Sequence, residues 1–300
     1  MRNRIIDISQ QSARLSVKHR QLVIRIDESE HKIPLNDLAA LIVAHPAVTY
    51  TQKVLSEIVA AGGVFITCDE KRMPSGMLLP LDAHSTQTQR FHEQLALSQP
   101  RAKRIWQQIV KAKIGMQASL LVIETDSDHG LHAMAQQVKS GDSGNLEAQA
   151  AKRYWTALFG SDFRRDRFAA DQNSLLNFGY AILRSAIARA ICGAGLHPSI
   201  GVHHSNKYNS FCLADDLMEP FRPLIDQTVI DITMDLDTVP ELDTATRQEL
   251  LAVFTGDVRL ADQTWDFLDA IQKAAGSLGQ VICGSQSELT LPIGFAHARV

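Results

Sequence analysis

Cysteine is scarce, with Cys68, Cys192, Cys212 and Cys283 the only four in 300 residues. They are widely scattered and form no Cys-x-x-Cys pair, which excludes a dense disulfide framework and the usual zinc spacings. Each reads as a reduced, buried small hydrophobe of a cytoplasmic protein. Long apolar runs are also missing. The most apolar stretch, 175–191, is broken by Asn177, Arg184, Ser185 and Arg189. A membrane span needs about 18 to 20 uninterrupted apolar residues, so this stretch reads as a buried helix and no membrane partner is expected. The first ten residues carry Arg2, Arg4 and Asp7 and lack the apolar core of a secretory signal. No glycine-rich phosphate-binding loop, internal repeat or low-complexity tract is present. Nor does charge of one sign dominate: 30 basic residues face 33 acidic ones, a formal −3.

That balance speaks against a nucleic-acid partner only if it is uniform, and it is not. Residues 84–120 hold six bases (Arg90, Arg101, Lys103, Arg104, Lys111 and Lys113) against the single acid Glu93. Residues 215–269 hold fourteen acids against Arg222, Arg247 and Arg259. Solvated helix faces would explain both blocks equally well.

The chain is 45% apolar and 21% charged, which excludes disorder, and its length allows a sizeable core and more than one domain. Residues 4–8, 13–18, 21–27, 39–44 and 64–68 are short Ile/Val/Leu-rich runs that predict strands, with a hairpin turn at Lys18-His19-Arg20. Residues 51–61 show helical spacing, stopped by Gly62-Gly63. Helical patterning takes over after Ser85. Ser98-Gln99-Pro100 starts a long helix with Ile105, Trp106, Ile109, Val110, Ile114, Met116 and Leu120 on one face. Further helices are expected at 146–159, 173–192, 217–229, 247–253 and 264–275. The expected fold is α+β, with a small β-rich domain at 1–84 and a larger all-α domain at 85–300.

Three segments could carry chemistry. Asn145-Leu146-Glu147-Ala148 opens a helix with a carboxylate in its first turn, a position that the helix dipole alone would favour. Gly201-Val202-His203-His204-Ser205 sets two histidines in a loop. In Asp215-Asp216-Leu217-Met218-Glu219, Asp216 and Glu219 are three apart and share a helix face, although an aspartate here could equally be an N-cap. Carboxylates with one imidazole suit Mg²⁺ or Mn²⁺ better than zinc. A hard cation beside basic helices is a standard device for phosphodiester chemistry.

These segments also carry a resemblance. Lys111-Ala112-Lys113-Ile114-Gly115-Met116-Gln117-Ala118 resembles a K-I-x-x-Q-A helix. Residues 145–155, Asn-Leu-Glu-Ala-Gln-Ala-Ala-Lys-Arg-Tyr-Trp, are similar to N-x-E-A/G-x-A-A-R-x-Y-W. Asn173 with Leu176-Asn177-Phe178-Gly179-Tyr180 resembles N-x-x-L-N-Y/F-G-Y. Residues 195–204 and Asp216-Leu217-Met218-Glu219-Pro220-Phe221-Arg222-Pro223 complete the ordered set. The family is the CRISPR-associated integrase-nuclease, CRISPR-associated protein one, in its compact type II form. Ala148 departs from the glycine common there.

The resemblance implies metal binding and catalysis by Glu147, His204 and Glu219, with Asp216 as a further metal ligand, and Mg²⁺ or Mn²⁺ as cofactor. It implies transesterification that inserts the 3′-hydroxyl ends of spacer-precursor DNA into the CRISPR array, with endonuclease activity when water attacks instead. Lys103, Arg104, Lys111, Lys113, Lys152, Arg153, Arg164, Arg165 and Arg167 become candidate DNA-backbone contacts, and His19 a candidate stacking residue. Implied partners are a homodimer formed by the β-rich domain, a dimer of a small ferredoxin-like protein flanked by two such dimers, double-stranded DNA, and the type II effector nuclease. A nuclease acting on branched DNA in repair, or a catalytically silent DNA scaffold, are the alternatives.

Overall fold

The computed structural model describes residues 4–166, 168–234, 236 and 238–296. The first 80 residues form two four-stranded sheets. Strands β1 (Arg4–Ile8), β2 (Arg14–Lys18), β3 (Gln21–Ile26), β4 (Ser29–Pro34), β5 (Leu38–Val43) and β6 (Thr49–Tyr50) precede helix α1 (Gln52–Ala60), β7 (Val64–Cys68) and β8 (Pro74–Leu78). One sheet has the order β1-β5-β7-β8, parallel except for β8; the other has the order β4-β3-β2-β6. Lys18 pairs with Gln21 across a two-residue turn, so His19 and Arg20 take left-handed φ of 50° and 58°. Such a turn matches the twist of the flanking strands, at some cost in residues that carry a Cβ.

The five strands expected from sequence are present within a residue or so at each end. β4 was not foreseen: Ser-Glu-His-Lys-Ile-Pro buries only Ile33, and it forms because β3 offers it an edge to pair with.

The remaining chain contains α2 (Gln87–Leu95), α3 (Gln99–Thr125), α4 (Leu131–Gln137), α5 (Leu146–Phe159), α6 (Gln172–Gly193), α7 (Cys212–Met218), α8 (Arg222–Thr233), α9 (Thr244–Ala252), strands β9 (Asp257–Leu260) and β10 (Gln263–Asp266), α10 (Phe267–Cys283) and β11 (Pro292–Phe295). Two expectations need correction. Residues 217–229 are not one helix, because Pro220 and Pro223 start new turns: α7 and α8 are separated by a single 3-10 turn, Glu219–Phe221. The region is also not all-α. A small antiparallel sheet of order β10-β9-β11 takes residues 264–266 out of the expected helix. The signal was the alternation in Asp257-Val258-Arg259-Leu260, whose two apolar residues are buried and two charged ones exposed.

Helices α3, α6 and α10 build the large core, with Ile109, Ile114, Phe178, Leu183, Ile271 and Leu278 all 1% exposed or less. Helix α6 is the one described helix long and apolar enough to cross a membrane, and 72% of its apolar window is buried in this core. The β1-β5-β7-β8 sheet is a wall shared by two cores. Ala39, Ala40, Ile42, Val64 and Ile66 face the helices, while Leu38, Leu41 and Phe65 face a smaller core with Leu15, Leu22, Val54 and Ile58. Strand alternation thus ties the β-rich region to the helical one.

Candidate active site

Helix α5 starts under the control of Asp142, whose carboxylate accepts from the backbone N–H of Leu146 at 2.9 Å and of Glu147 at 3.0 Å. Asn145 stands at the N-cap in a left-handed conformation, and its side chain makes no capping bond. This start aims Glu147 at the middle of α3, where the Lys113 ammonium lies 2.6 Å from Glu147 Oε1. The same ammonium is 2.6 Å from Oε2 of Glu219, in the 3-10 turn between α7 and α8. Arg222, one turn on, holds Glu219 Oε1 at 2.9 Å. Glu219 Oε2 is buried, and its contact with Lys113 is an ion pair without hydrogen-bond geometry.

Charge dominates this cluster. Burial works to raise the Glu219 pKa, but Arg222 and Lys113 outweigh it and hold the carboxyl below its ordinary value. Burial would likewise depress the Lys113 pKa, and the two glutamates reverse that and raise it.

The histidine loop is built around Asp216, which is fully buried. Its Oδ2 accepts from the backbone N–H of Val202 (2.7 Å) and His203 (3.1 Å), and its Oδ1 from that of His204 (3.1 Å). His204 Nδ1 lies 2.7 Å from the same Oδ1. A Cβ at Gly201 would stand 2.3 Å from the His204 carbonyl oxygen and 2.9 Å from Asp216 Oδ2, so only glycine lets the loop fold onto the carboxylate. The bond to Asp216 raises the His204 pKa, against burial, which lowers it. Trp106, from α3, stacks flat on His203 with centroids 4.1 Å apart, and meets His204 edge-on at 5.8 Å.

Among the described residues no three His, Cys, Asp or Glu side chains already converge as metal ligands. The chemistry of the donors nevertheless fits a hard divalent cation. Two carboxylates point at one cationic centre, and one of their oxygens is buried without a hydrogen bond. His204 has Nδ1 occupied by a carboxylate, the arrangement usual for a metal-binding histidine, which leaves Nε2 as the donor. Asp216 differs from the other three. Its oxygens are spent on three N–H groups and a ring nitrogen, so it organises the loop.

The basic residues divide. Lys103 and Arg104 are exposed on α3. Arg104 and Lys111 line a groove of about 1090 Å³ with Lys139, Ser140 and Leu146, the residue that precedes Glu147 in the chain. Lys152 and Arg153 are exposed on α5 and line a second groove with His129. Arg164 is exposed, and its guanidinium donates to the Phe163 carbonyl at 2.8 Å. His19 is exposed at its hairpin tip. Lys113 is not on this surface, since its charge is spent on the glutamates. Arg165 is also engaged elsewhere, donating to Asn173 and Asn177, each at 2.6 Å, beside the Tyr180 ring. Arg167 lies outside the described residues.

Sequence reasoning did not single out Arg222, Trp106 or Lys139 for the site. Arg222 had a signal, its position three residues after Glu219. Lys113 was named only as a DNA-backbone candidate, and nothing in the sequence pairs it with Glu147 and Glu219, 34 and 106 positions away.

A β-rich unit joined to a helical core that sets paired glutamates and a buttressed histidine beside basic grooves fits a class, the enzymes that act on phosphodiesters. Comparisons with known proteins narrow it. A family model described as CRISPR associated protein Cas1 matches residues 6–236. The chain is 38% identical over 271 residues to the CRISPR-associated endonuclease Cas1 of Neisseria meningitidis serogroup C (strain 8013), covering 89% of this chain and 88% of that one. Among solved structures it is similar to a casposase bound to integration product, with TM-score 0.77 and 17% identity over 97% of this chain and 93% of that one. It is also similar to a chain of a Cas6-RT-Cas1–Cas2 complex, with TM-score 0.72 and 18% identity over 100% of this chain and 36% of that one. The chain belongs to the CRISPR-associated Cas1 family of endonuclease–integrase enzymes.

Proposed function

We propose that this chain joins spacer-precursor DNA to a CRISPR array through a site made of Glu147, Glu219 and His204. The observation that carries this reading is the convergence of Glu147 and Glu219 on one cationic centre, from elements 72 positions apart, in the neighbourhood of His204. Glu147, Glu219 and His204 Nε2 would hold Mg²⁺ or Mn²⁺. When bound, such a cation neutralises a non-bridging phosphate oxygen and lowers the pKa of the attacking hydroxyl. Asp216 holds His204 Nδ1 and so keeps Nε2 in place, a positioning role rather than that of a ligand. Arg222 fixes the Glu219 carboxylate from the other side.

In the reaction, the 3′-oxygen of the precursor forms a bond to phosphorus as the bond to the repeat's own 3′-oxygen breaks. The proton lost by the attacking hydroxyl is balanced by the one the leaving oxygen gains. One phosphodiester replaces another, so no nucleotide cofactor is needed. With water as the attacking group, the same site cleaves DNA.

Arg104, Lys111, Lys139, Lys152 and Arg153 would hold the DNA backbone, together with Lys103 and Arg164. They position it without reading its sequence. If five of them each neutralise a phosphate, log K should fall with log salt at a slope of about −4.5. The two-part organisation, 1–84 and 85–300, goes with this reading, the β-rich part serving as the homodimer surface. The open outer edge of β4 supports this, as does a groove between the two sheets in which Ile6, Ile8, Ile24, Ile26 and Ile33 are rimmed by polar residues such as Arg4, Gln11 and Lys32. The resemblance to a chain of a Cas6-RT-Cas1–Cas2 complex supports a Cas2-type partner, and a small ferredoxin-like dimer flanked by two such homodimers belongs to the same reading. The effector nuclease of a type II system and a cytoplasmic setting belong to the same reading.

The test is strand transfer with matched precursor and repeat DNA, the partner protein and Mn²⁺. Glu147→Ala and His204→Ala should abolish products, by about 10³-fold or more, and keep DNA affinity within about threefold. Integration retained by His204→Ala would overturn the site.

A further inference from the structure

Lys113 is an unusual neighbour for two proposed metal ligands. Its ammonium lies 2.6 Å from Glu147 Oε1 and 2.6 Å from Glu219 Oε2, and its side chain is 12% exposed. It projects from the middle of the 27-residue helix α3, whose Ile109, Val110, Ile114 and Leu120 are wholly buried, so the backbone beneath it cannot drift. Arg222 already supplies Glu219 with a guanidinium partner at 2.9 Å. The cluster of two glutamates, one lysine and one arginine is therefore neutral as it stands.

From this geometry we propose that Lys113 is a built-in rival of the divalent cation, occupying the place between the carboxylates until DNA draws it away. The inference rests on the reading of Glu147, Glu219 and His204 as ligands. A hard cation sits about 2.0 to 2.6 Å from its carboxylate oxygens. Bound to the same two oxygens, it would bring like charges within a few ångströms of each other, so loading requires the ammonium to leave.

Lysine suits this task. It is a point charge on a flexible four-carbon stem, whereas a guanidinium fork would lock the carboxylates in place. Its contact with Glu219 Oε2, at 2.6 Å, is poorly aligned for a hydrogen bond, so the ammonium holds that oxygen chiefly by charge. Arg104, Lys111 and Lys139 line a groove together with Leu146, the residue before Glu147, and a DNA phosphate held there would be the new partner of the released ammonium. Metal and DNA then assist each other, since a phosphate that captures Lys113 vacates the cation site. By linkage the effect is reciprocal.

The experiment is a Mn²⁺ titration, read by the electron paramagnetic resonance signal of free Mn²⁺, on the whole protein with and without duplex DNA. If the vacated state is about one-tenth populated, Lys113→Met should bind Mn²⁺ about tenfold tighter than the parent protein in the absence of DNA. DNA should tighten Mn²⁺ binding to the parent severalfold and leave that of Lys113→Met unchanged. Equal or weaker Mn²⁺ binding by Lys113→Met would overturn the inference, as would the same DNA effect in both proteins. Mn²⁺ binding that is indifferent to both Glu147→Gln and His204→Ala is a different result, and defeats the site reading itself. If Lys113→Met proves insoluble, Lys113→Arg carries the test with the opposite sign. Its fixed fork should weaken Mn²⁺ binding at least threefold, and unchanged binding would count against the proposal.

Discussion

Arg247 and Lys113 are both cations taken largely out of water, and their surroundings differ in kind. Arg247 is fully buried where the helical region meets β1. Its Nε and Nη2 donate to Asp7 at 2.8 and 2.9 Å, its Nη1 donates to the Arg72 carbonyl at 2.8 Å, and the Phe178 ring lies 4.4 Å from its centre. Lys113 instead sits between two carboxylates from separate elements, with one oxygen and the Nε of Arg222 lacking hydrogen bonds. A buried charge that only holds a fold together can be satisfied completely. Groups kept for chemistry must retain capacity for a further partner, and the site carries that unsatisfied capacity as a cost.

The contrast can be broken by experiment, most forcefully at Arg247. Arg247→Met leaves Asp7 buried with no counter-charge, and should cost about 3 to 5 kcal/mol in urea denaturation. A loss below about 1 kcal/mol would show that the saturated pair is dispensable and the contrast mistaken.

Asp226 is an intermediate case, a buried carboxyl that accepts from Tyr154 at 2.6 Å and from Tyr180, with Arg222 and Arg165 acting on it as nearby charges. Burial pushes its pKa up to about 6, against the pull of the two phenols. Because the folded pKa exceeds the unfolded one, the native state binds the extra proton between them. Stability contributed at this site therefore falls as pH rises from about 4 to about 6, by roughly 3 kcal/mol in all, and is flat above. Unfolding curves across that window should show the decline in the parent protein and lose it in Asp226→Asn. An identical profile in both would remove Asp226 as its source.

His203→Ala gives up the flat stack on Trp106 and should cost about 0.5 to 1.5 kcal/mol, with strand transfer reduced but not lost. The smallest effect on stability belongs to Glu147→Gln. It removes a charge that is 24% exposed, so unfolding should shift by no more than about 1 kcal/mol while integration disappears. A large destabilisation there would place Glu147 with Arg247, as a structural charge.

Much of the fold was legible in the residues. The starts and ends of α5 and α6 follow from periodicity, with Gly160 capping α5, and the apolar face of α3 was readable from Ile105 to Leu120. The misses share a cause. β4 is polar and exists because β3 presents an edge, and β9 and β10 are too short for their alternation to outweigh the helix that follows. In the site, Glu147, His204 and Glu219 were all named from motif and residue type. Asp216 was named as well, but nothing in Asp216-Leu217-Met218-Glu219 tells which acid accepts from the loop's N–H groups.

What the sequence determined by itself is the catalogue: the order of the elements, the acids and histidine fit for phosphodiester chemistry, and the bases that could hold DNA. Local spacing suffices for these, because helix and strand periods act over a few residues. The tertiary structure alone decided how the charges are spent. It turned Lys113 inward onto Glu147 and Glu219, tied Arg165 to two asparagines, buried Arg247 against Asp7 and left Arg104 and Lys111 along an open groove. A charge's role depends on which partners lie within a few ångströms and how much water remains, and only the packed chain sets either.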